Sequence, residues 1–198
     1  LLKLSNISCQ YNEQPVFKKL NFEVKEGGLV VVGGPNGSGK TTLLQVLAGL
    51  RRADYGIVTW QDKPLQDALA DDLSISYIGH EIAVKKELTV LENIEFWAKL
   101  GGDVKYIGFA LKTFELERYK NTLCSQLSSG LLKRVALCRL VCCPGLIWIL
   151  DEPYNNLDNA TSDRLDELID AKCKDNSIII LSSHIAVPMD YAQKVTLG

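Results

Sequence analysis

Histidine is scarce in this chain, with 2 among 198 residues, and neither copy sits near a pair of cysteines. The cysteines themselves, Cys9, Cys124, Cys138, Cys142, Cys143 and Cys173, never fall into a CxxC spacing. A zinc site is therefore not expected, and free reduced thiols of a cytosolic protein are the plainer expectation. Long apolar runs are missing too. The stretch "LIWIL" at 146–150 is far too short to cross a bilayer. The opening "LLKLSNISCQ" has no basic segment leading into an apolar one, so a signal peptide is not expected, and a start without Met leads us to expect trimming. There is no block of Lys or Arg, and the formal net charge is -2, which argues against nucleic acid as the main ligand. No internal repeat, low-complexity run or long linker occurs. What remains is an ordinary globular composition, 46% hydrophobic and 23% charged, in a length that suggests one domain or one domain with a small appendage. Such a chain buries a core without staples.

The apolar residues change period along the chain. "LKLSNISCQY" alternates and predicts a half-buried strand, and "VFKKLNFEVKEGG" predicts a second one ending in a glycine turn. "LVVVGG" is continuous and β-branched, the pattern of a strand covered on both faces. From Lys40 the spacing of Leu43, Val46, Leu47 and Leu50 is helical, with Gly49 near the stop. "GIVTW" and "SISYIG" predict short strands. Thr89 and Glu92 make a capping-box pattern for a helix ending at Gly101-Gly102, and more helix is expected through "GFALKTFELERY". Another helix is expected from near Ser128 to just before Pro144. "LIWILD" reads as a buried strand, Leu165, Leu168 and Ile169 mark a helix, and "SIIILSS" reads as a buried strand followed by "HIAV". Buried strands alternating with helices imply an α/β fold with a mostly parallel core sheet. The early strands and the helices of about 88–143 then form two satellites of that core.

One stretch has no use in a packed core. Gly34-Pro35-Asn36-Gly37-Ser38-Gly39-Lys40-Thr41 fits GxxxxGK[ST], the phosphate-binding loop, between a buried strand and a helix. Glycines let backbone N–H groups converge on phosphate oxygens, and the helix starting at Lys40 adds the positive end of its dipole. Lys40 supplies a cation for the β/γ-phosphates, and the Thr41 hydroxyl suits Mg²⁺. Thr42 completes the set expected to bind nucleotide. Asp151 and Glu152 end the buried strand "LIWIL", where a carboxylate points into the crevice beside such a loop. Asp151 would hold Mg²⁺, and Glu152 would polarise an attacking water; the alternative is that both merely cap the strand end. His184 closes "SSH" on the same sheet edge and is a candidate contact for the γ-phosphate.

The ordered motifs resemble the ATP-binding cassette (ABC) ATPases. "LSSGLLKR" at 127–134 is similar to that family's LSGGQ signature, and "DEPYNNLD" at 151–158 resembles its extended Walker B and D-loop, with Asp158 as the D-loop aspartate. The resemblance implies a P-loop NTPase fold with an N-terminal antiparallel β subdomain and a helical subdomain at about 88–143, in a single ABC ATPase domain over 1–198. It implies that Tyr11 stacks on adenine, and that Ser128 and Gly130 face the γ-phosphate of ATP on a second copy. The chain would then act as a head-to-tail homodimer closed by ATP. A plain Ser N-cap with a neighbouring Gly is the alternative for "LSSG".

Two departures stand out: Leu131 replaces the signature's Gln, and His80 in "YIGHE" stands where the family's Q-loop glutamine belongs. Imidazole can ligate a metal, so His80 either substitutes as a metal-site residue or is an exposed turn residue. "YIGHEIAVKKELTVLENIEFWAKL", with the motifs above, is similar to the ATP-binding subunit of the cytochrome c maturation system, the haem exporter ATPase. That resemblance implies an ATP- and Mg²⁺-dependent ATPase, peripheral at the cytoplasmic face of the bacterial inner membrane and bound to an integral membrane permease. No haem is expected on this chain, since neither His lies in a CxxCH context. The rivals are an ABC ATPase for another substrate, a soluble ABC ATPase acting on DNA or ribosomes, and a regulator without turnover.

Overall fold

The computed structural model describes residues 1–184 and 187–198, so Ile185 and Ala186 of the "HIAV" stretch lie outside the described residues. The chain divides into two compact units. The first comprises Leu1–Gly79, Leu146–Pro153 and Ala171–Gly198; the second comprises His80–Gly145 and Tyr154–Asp170. Among the described residues no helix is long and apolar enough to cross a membrane.

Two sheets build the first unit. Strands β1 (Leu2–Tyr11), β2 (Gln14–Val24), β4 (Tyr55–Trp60) and β5 (Lys63–Pro64) form an antiparallel sheet in the order β2-β1-β4-β5. Its two tight hairpins turn at Asn12-Glu13 (φ 48 and 65) and Gln61-Asp62 (φ 48 and 64). Positive φ at both turn positions matches the right-handed twist of the flanking strands. The alternation in β1 slips once. Leu2 and Leu4 face the core, but so do Ile7 and Cys9, which are of opposite parity. A bulge accounts for this: Asn6 sits at φ 53, and the pairing with β2 shifts between Leu4 and Ile7.

The second sheet of this unit runs β6 (Ile75–Ile78), β7 (Ile147–Leu150), β8 (Ile178–Ser182), β3 (Leu29–Gly33), β9 (Gln193–Thr196), with every pair parallel. All residues of β7 and β8 are buried, as their unbroken apolar runs require. Helix α1 (Lys40–Leu47) packs on β7 and β8, and a single apolar cluster joins both sheets. The helix stops one turn short of Leu50, which is left exposed. Gly49 (φ 73) is the reason: its N–H reaches Val46 O and the Leu50 N–H reaches Gln45 O, which close a left-handed C-terminal cap. The short helix α2 (Leu65–Ala70) and strand β9 carry too few periodic apolar residues to be visible in the sequence.

In the second unit, α3 (Val90–Gly101) and α4 (Ile107–Thr113) pack against α5 (Ser129–Cys142), and α6 (Asn159–Lys174) begins here. The expected capping box is present. Thr89 Oγ1 accepts from the Glu92 N–H at 3.2 Å, and the Glu92 carboxylate accepts from the Thr89 N–H at 2.8 Å. One turn into α3, buried Asn93 accepts from the Lys85 N–H at 2.8 Å and donates to the carbonyls of Lys85 and Thr89 at 2.9 and 3.0 Å. It thereby fastens the 85–89 loop to the helix. The helix expected through "GFALKTFELERY" is broken. Glu115 takes φ 53, the Leu116 N–H bonds Leu111 O, and residues 117–119 form a separate 3-10 turn. The break lets Phe114 and Leu116 both reach the interior, and neither is exposed at all.

All six cysteines are free thiols, and only Cys143 is not fully buried. Burial raises Cys138 well above the ordinary thiol range, and burial, with the neighbouring Cys143 second, pushes Cys142 up to about 12. Accordingly, Ellman's reagent at pH 8 should titrate one thiol, Cys143, in the native protein and the others only after denaturation; several fast thiols would contradict this packing. Thr89→Ala should cost about 1 kcal/mol and lower Tm by about 2–4 °C, measured by thermal denaturation.

Candidate active site

The loop 34–39 leaves β3 and delivers the chain into α1 through backbone that few residues tolerate. Gly34 lies at φ 138, and a Cβ there would meet the Leu197 carbonyl oxygen at 2.3 Å. Gly39 lies at φ 94, and a Cβ there would meet Val16 Cγ1 at 2.3 Å. The loop closes around its own lysine: buried Lys40 donates through Nζ to Gly34 O at 2.9 Å and Pro35 O at 3.1 Å. Ser38 Oγ is shut away from solvent with no hydrogen-bond partner among the described residues. No side chain caps α1, and no acidic residue stands in its first turn. A cation, an orphaned hydroxyl and uncapped helix amides together make a receptor for an oxyanion.

Asp151 and Glu152 leave the C-terminal end of β7 beside this loop. Asp151 is only 2% exposed. Its N–H donates to Ile78 O at 2.7 Å, Thr41 donates to its Oδ2 at 2.7 Å, and Ser182 donates to its Oδ1 at 2.6 Å. The two hydroxyls give each oxygen of this buried carboxylate a hydrogen-bond donor, which a desolvated polar group requires. Its negative charge is felt at Tyr77, whose phenol is raised first by burial and then by Asp151, against a hydrogen bond with Gln45. Glu152 takes φ 45, a left-handed backbone that costs a residue with a side chain about 1–2 kcal/mol. Its N–H is held by Ser182 Oγ at 2.9 Å, and its carboxylate Oε1 lies 2.9 Å from His184 Nε2. Lys40, Thr41, Asp151, Glu152 and His184 are thus brought together inside the first unit, whereas the sequence showed them only as separated motifs. Ser182, Tyr77 and Gln45 carry no motif by which the sequence would mark them as part of the site; Ser182 stands two residues before His184 in "LSSH".

The hydroxyl of Thr41 and the carboxylate of Asp151 form a hard-oxygen pair that fits Mg²⁺. No group of three or more His, Cys, Asp or Glu poised for a metal exists among the described residues. That suits an ion completed by substrate phosphates and water rather than one caged by protein.

The remaining candidates sit elsewhere. Tyr11 ends β1 with 68% of its surface exposed, and Thr42 is half-buried in the first turn of α1. His80 opens the second unit in a bend after β6, exposed. Ser128 is the N-cap of α5 and accepts from the Leu131 N–H at 3.3 Å. Because the backbone of Leu131 makes that bond, the replaced side chain leaves the cap intact. Gly130 has a packing reason to be glycine, since a Cβ would come within 2.6 Å of Asn156 O. Asp158 accepts from the Thr161 N–H at 2.9 Å, which starts α6, and it pairs with Arg134, which also reaches Glu115. The Thr161 contacts hold Asp158 below the usual carboxylate range.

The sequence and the fold are shared with known proteins. The family model described as ABC transporter matches residues 17–155. Proteins named cytochrome c biogenesis ATP-binding export protein CcmA are similar over nearly the whole chain. That of Wolbachia pipientis wMel is 36% identical over 185 residues, covering 93% of this chain and 89% of the relative. That of Escherichia coli K12 gives the same figures, and that of Aliivibrio fischeri is 32% identical with 100% of both covered. Among solved structures, an ATP-binding subunit of an ABC transporter aligns with a TM-score of 0.84 at 26% identity, covering 100% of this chain and 85% of that one. The ATP-binding cassette MJ0796, solved as a dimer in a post-hydrolysis state with ADP and Pi, aligns with a TM-score of 0.80 at 27% identity, covering 93% and 88%.

Gly39→Ala forces a Cβ into Val16 and a side chain into left-handed backbone. It should weaken ATP binding by at least about tenfold, equivalent to about 1.4 kcal/mol, as measured by titration with a fluorescent ATP analogue, while circular dichroism stays native.

Proposed function

This chain belongs to the ABC transporter family, and we propose that it is the ATP-hydrolysing subunit of a membrane complex that energises haem delivery in cytochrome c maturation. The observation that carries the ATPase reading is the hydrogen-bonded set joining Thr41, Asp151, Ser182 and Glu152 next to the lysine-filled loop. The cytochrome c maturation role rests on the names of the relatives, and the haem assignment on the family resemblance carried by the "GHE" and "KKELTVLEN" stretches.

In this reading the triphosphate enters the loop. Lys40 releases the carbonyls of Gly34 and Pro35 and turns to the β/γ-phosphates, and the buried Ser38 hydroxyl acquires a phosphate oxygen as its partner. The amides of residues 36–42 complete the cradle, and Tyr11 stacks on the adenine. Mg²⁺, held by Thr41 and Asp151, supplies charge neutralisation on the phosphates. Glu152 accepts the proton of the attacking water, and His184 moves from Glu152 to the γ-phosphate and fixes its geometry. Ser128 and Gly130 of a second copy close the site from the other side, so each head-to-tail dimer holds two equivalent sites. His80 is assigned the role of the family's missing Q-loop glutamine. We assign all 198 residues to one ABC ATPase domain whose helical part spans about 88–143. The chain works on the cytoplasmic face of the inner membrane against an integral permease, binds no nucleic acid, and leaves haem to its partners.

Glu152→Gln should keep ATP binding, accumulate the dimer in light scattering, and lower kcat by about 10²–10⁴-fold. Near-normal turnover would move the base elsewhere. The specific activity of the wild type should fall on dilution as dimers dissociate. Purification from native membranes should bring down integral proteins of cytochrome c maturation; a different permease would keep the ATPase and change its cargo.

A further inference from the structure

Ser182 ends β8, has no exposed surface, and stands two residues before His184 in "SSH", where no role has been assigned to it. A hydroxyl has one proton and two lone pairs, and this one uses both capacities on the two acidic residues of the site. It donates to Asp151 Oδ1 at 2.6 Å and accepts the Glu152 N–H at 2.9 Å. The second bond is made by a residue at φ 45, the least comfortable backbone in the site for a side-chain-bearing residue. Among the described residues Asp151 has one other side-chain donor, Thr41 on its Oδ2. If Thr41 turns to a bound ion, Ser182 is the hydroxyl that still aims the Asp151 carboxylate.

We propose that Ser182 is a positioning residue for phosphoryl transfer, whose single hydroxyl locks the Asp151 carboxylate and the Glu152 backbone into one rigid element. The inference rests on the ATPase reading above. Ser182 acts through Asp151 and Glu152, the two residues its hydroxyl bonds. It acts by keeping the general base at a fixed distance from the γ-phosphate and the Asp151 oxygen at a fixed direction toward the ion. Without the hydroxyl, the Glu152 N–H and Asp151 Oδ1 lose their partner in a dry environment. The left-handed turn at Glu152 then relaxes toward ordinary backbone and swings the carboxylate away.

The test compares Ser182→Ala and Ser182→Thr with wild type and with Glu152→Gln. In the Ala variant kcat should fall about 10²-fold, the loss expected when a catalytic group is displaced by about 1 Å. ATP affinity without Mg²⁺ should stay within about threefold of wild type, and the gain in affinity on adding Mg²⁺ should shrink about tenfold. Exchange of the Glu152 amide with deuterium should quicken. The Thr variant, which keeps the hydroxyl, should restore all three readouts. Should the Ala variant fail to fold, Ser182→Cys carries the test, because its weak thiol donor should still cost about tenfold in kcat. A folded Ala or Cys variant with unchanged kcat and unchanged Mg²⁺ effect overturns the proposal, as does a Tm decrease with kcat intact. A wild type without turnover, or a Glu152→Gln variant as fast as wild type, would fault the ATPase reading instead.

Discussion

A carboxylate almost wholly out of water is the constraint around which the first unit is arranged. Buried Asp151 is held by three segments far apart in sequence, two of them through its carboxylate. The end of β6 accepts its amide, the first turn of α1 offers the Thr41 hydroxyl, and the end of β8 offers the Ser182 hydroxyl. Removing any one leaves a polar group stranded, which costs more than the bond itself is worth. The apolar sheet beneath makes those three ends coincide. Fully buried β7 and β8 lie side by side in register, so their C-termini emerge together. Packing thus supplies the alignment, and the polar contacts convert alignment into chemistry.

Much of this was legible beforehand. "LVVVGG", "LIWILD" and "SIIILSS" announced covered strands by composition alone, and the five-stranded parallel sheet confirms what their alternation with helices implied. The glycines of the loop and the capping box at Thr89 announced themselves because each solves a local problem that only a few residue types can solve. What stayed hidden was of a different kind. The bulge at Asn6 looks like any polar residue in an alternating strand, yet it moves Ile7 and Cys9 to the inner face. The break at Glu115 is invisible because glutamate is a good helix former; the burial of Phe114 and Leu116 overrides it. Ser182 carries no signal at all, since serine at the end of a strand is commonplace. Its importance comes from partners found 30 or so residues away.

In the second unit, packing alone gives motif residues a reason to be what they are. Gly130 is pinned against the Asn156 carbonyl, and Arg134 ties α5 to Asp158, the residue that starts α6. The segments 127–134 and 151–158 are therefore mechanically joined where they share this unit. Asn93 does similar work at the other end, where its amide makes the 85–89 loop a continuation of α3. A sequence comparison would weigh such residues alongside ligand-touching ones; the contacts distinguish the two.

The order of strands in the parallel sheet governs the timing of assembly. Strand β3, which feeds the phosphate loop, has as neighbours β8 and β9, both near the far end of the described chain. At ribosomal speeds of about 5–20 residues per second, about 7–30 seconds pass between the synthesis of β3 and that of its neighbours. During that interval an apolar strand has both edges bare, a state prone to wrong pairing. Until β8 and β9 are made, the strand that feeds the phosphate loop lacks both of its sheet partners.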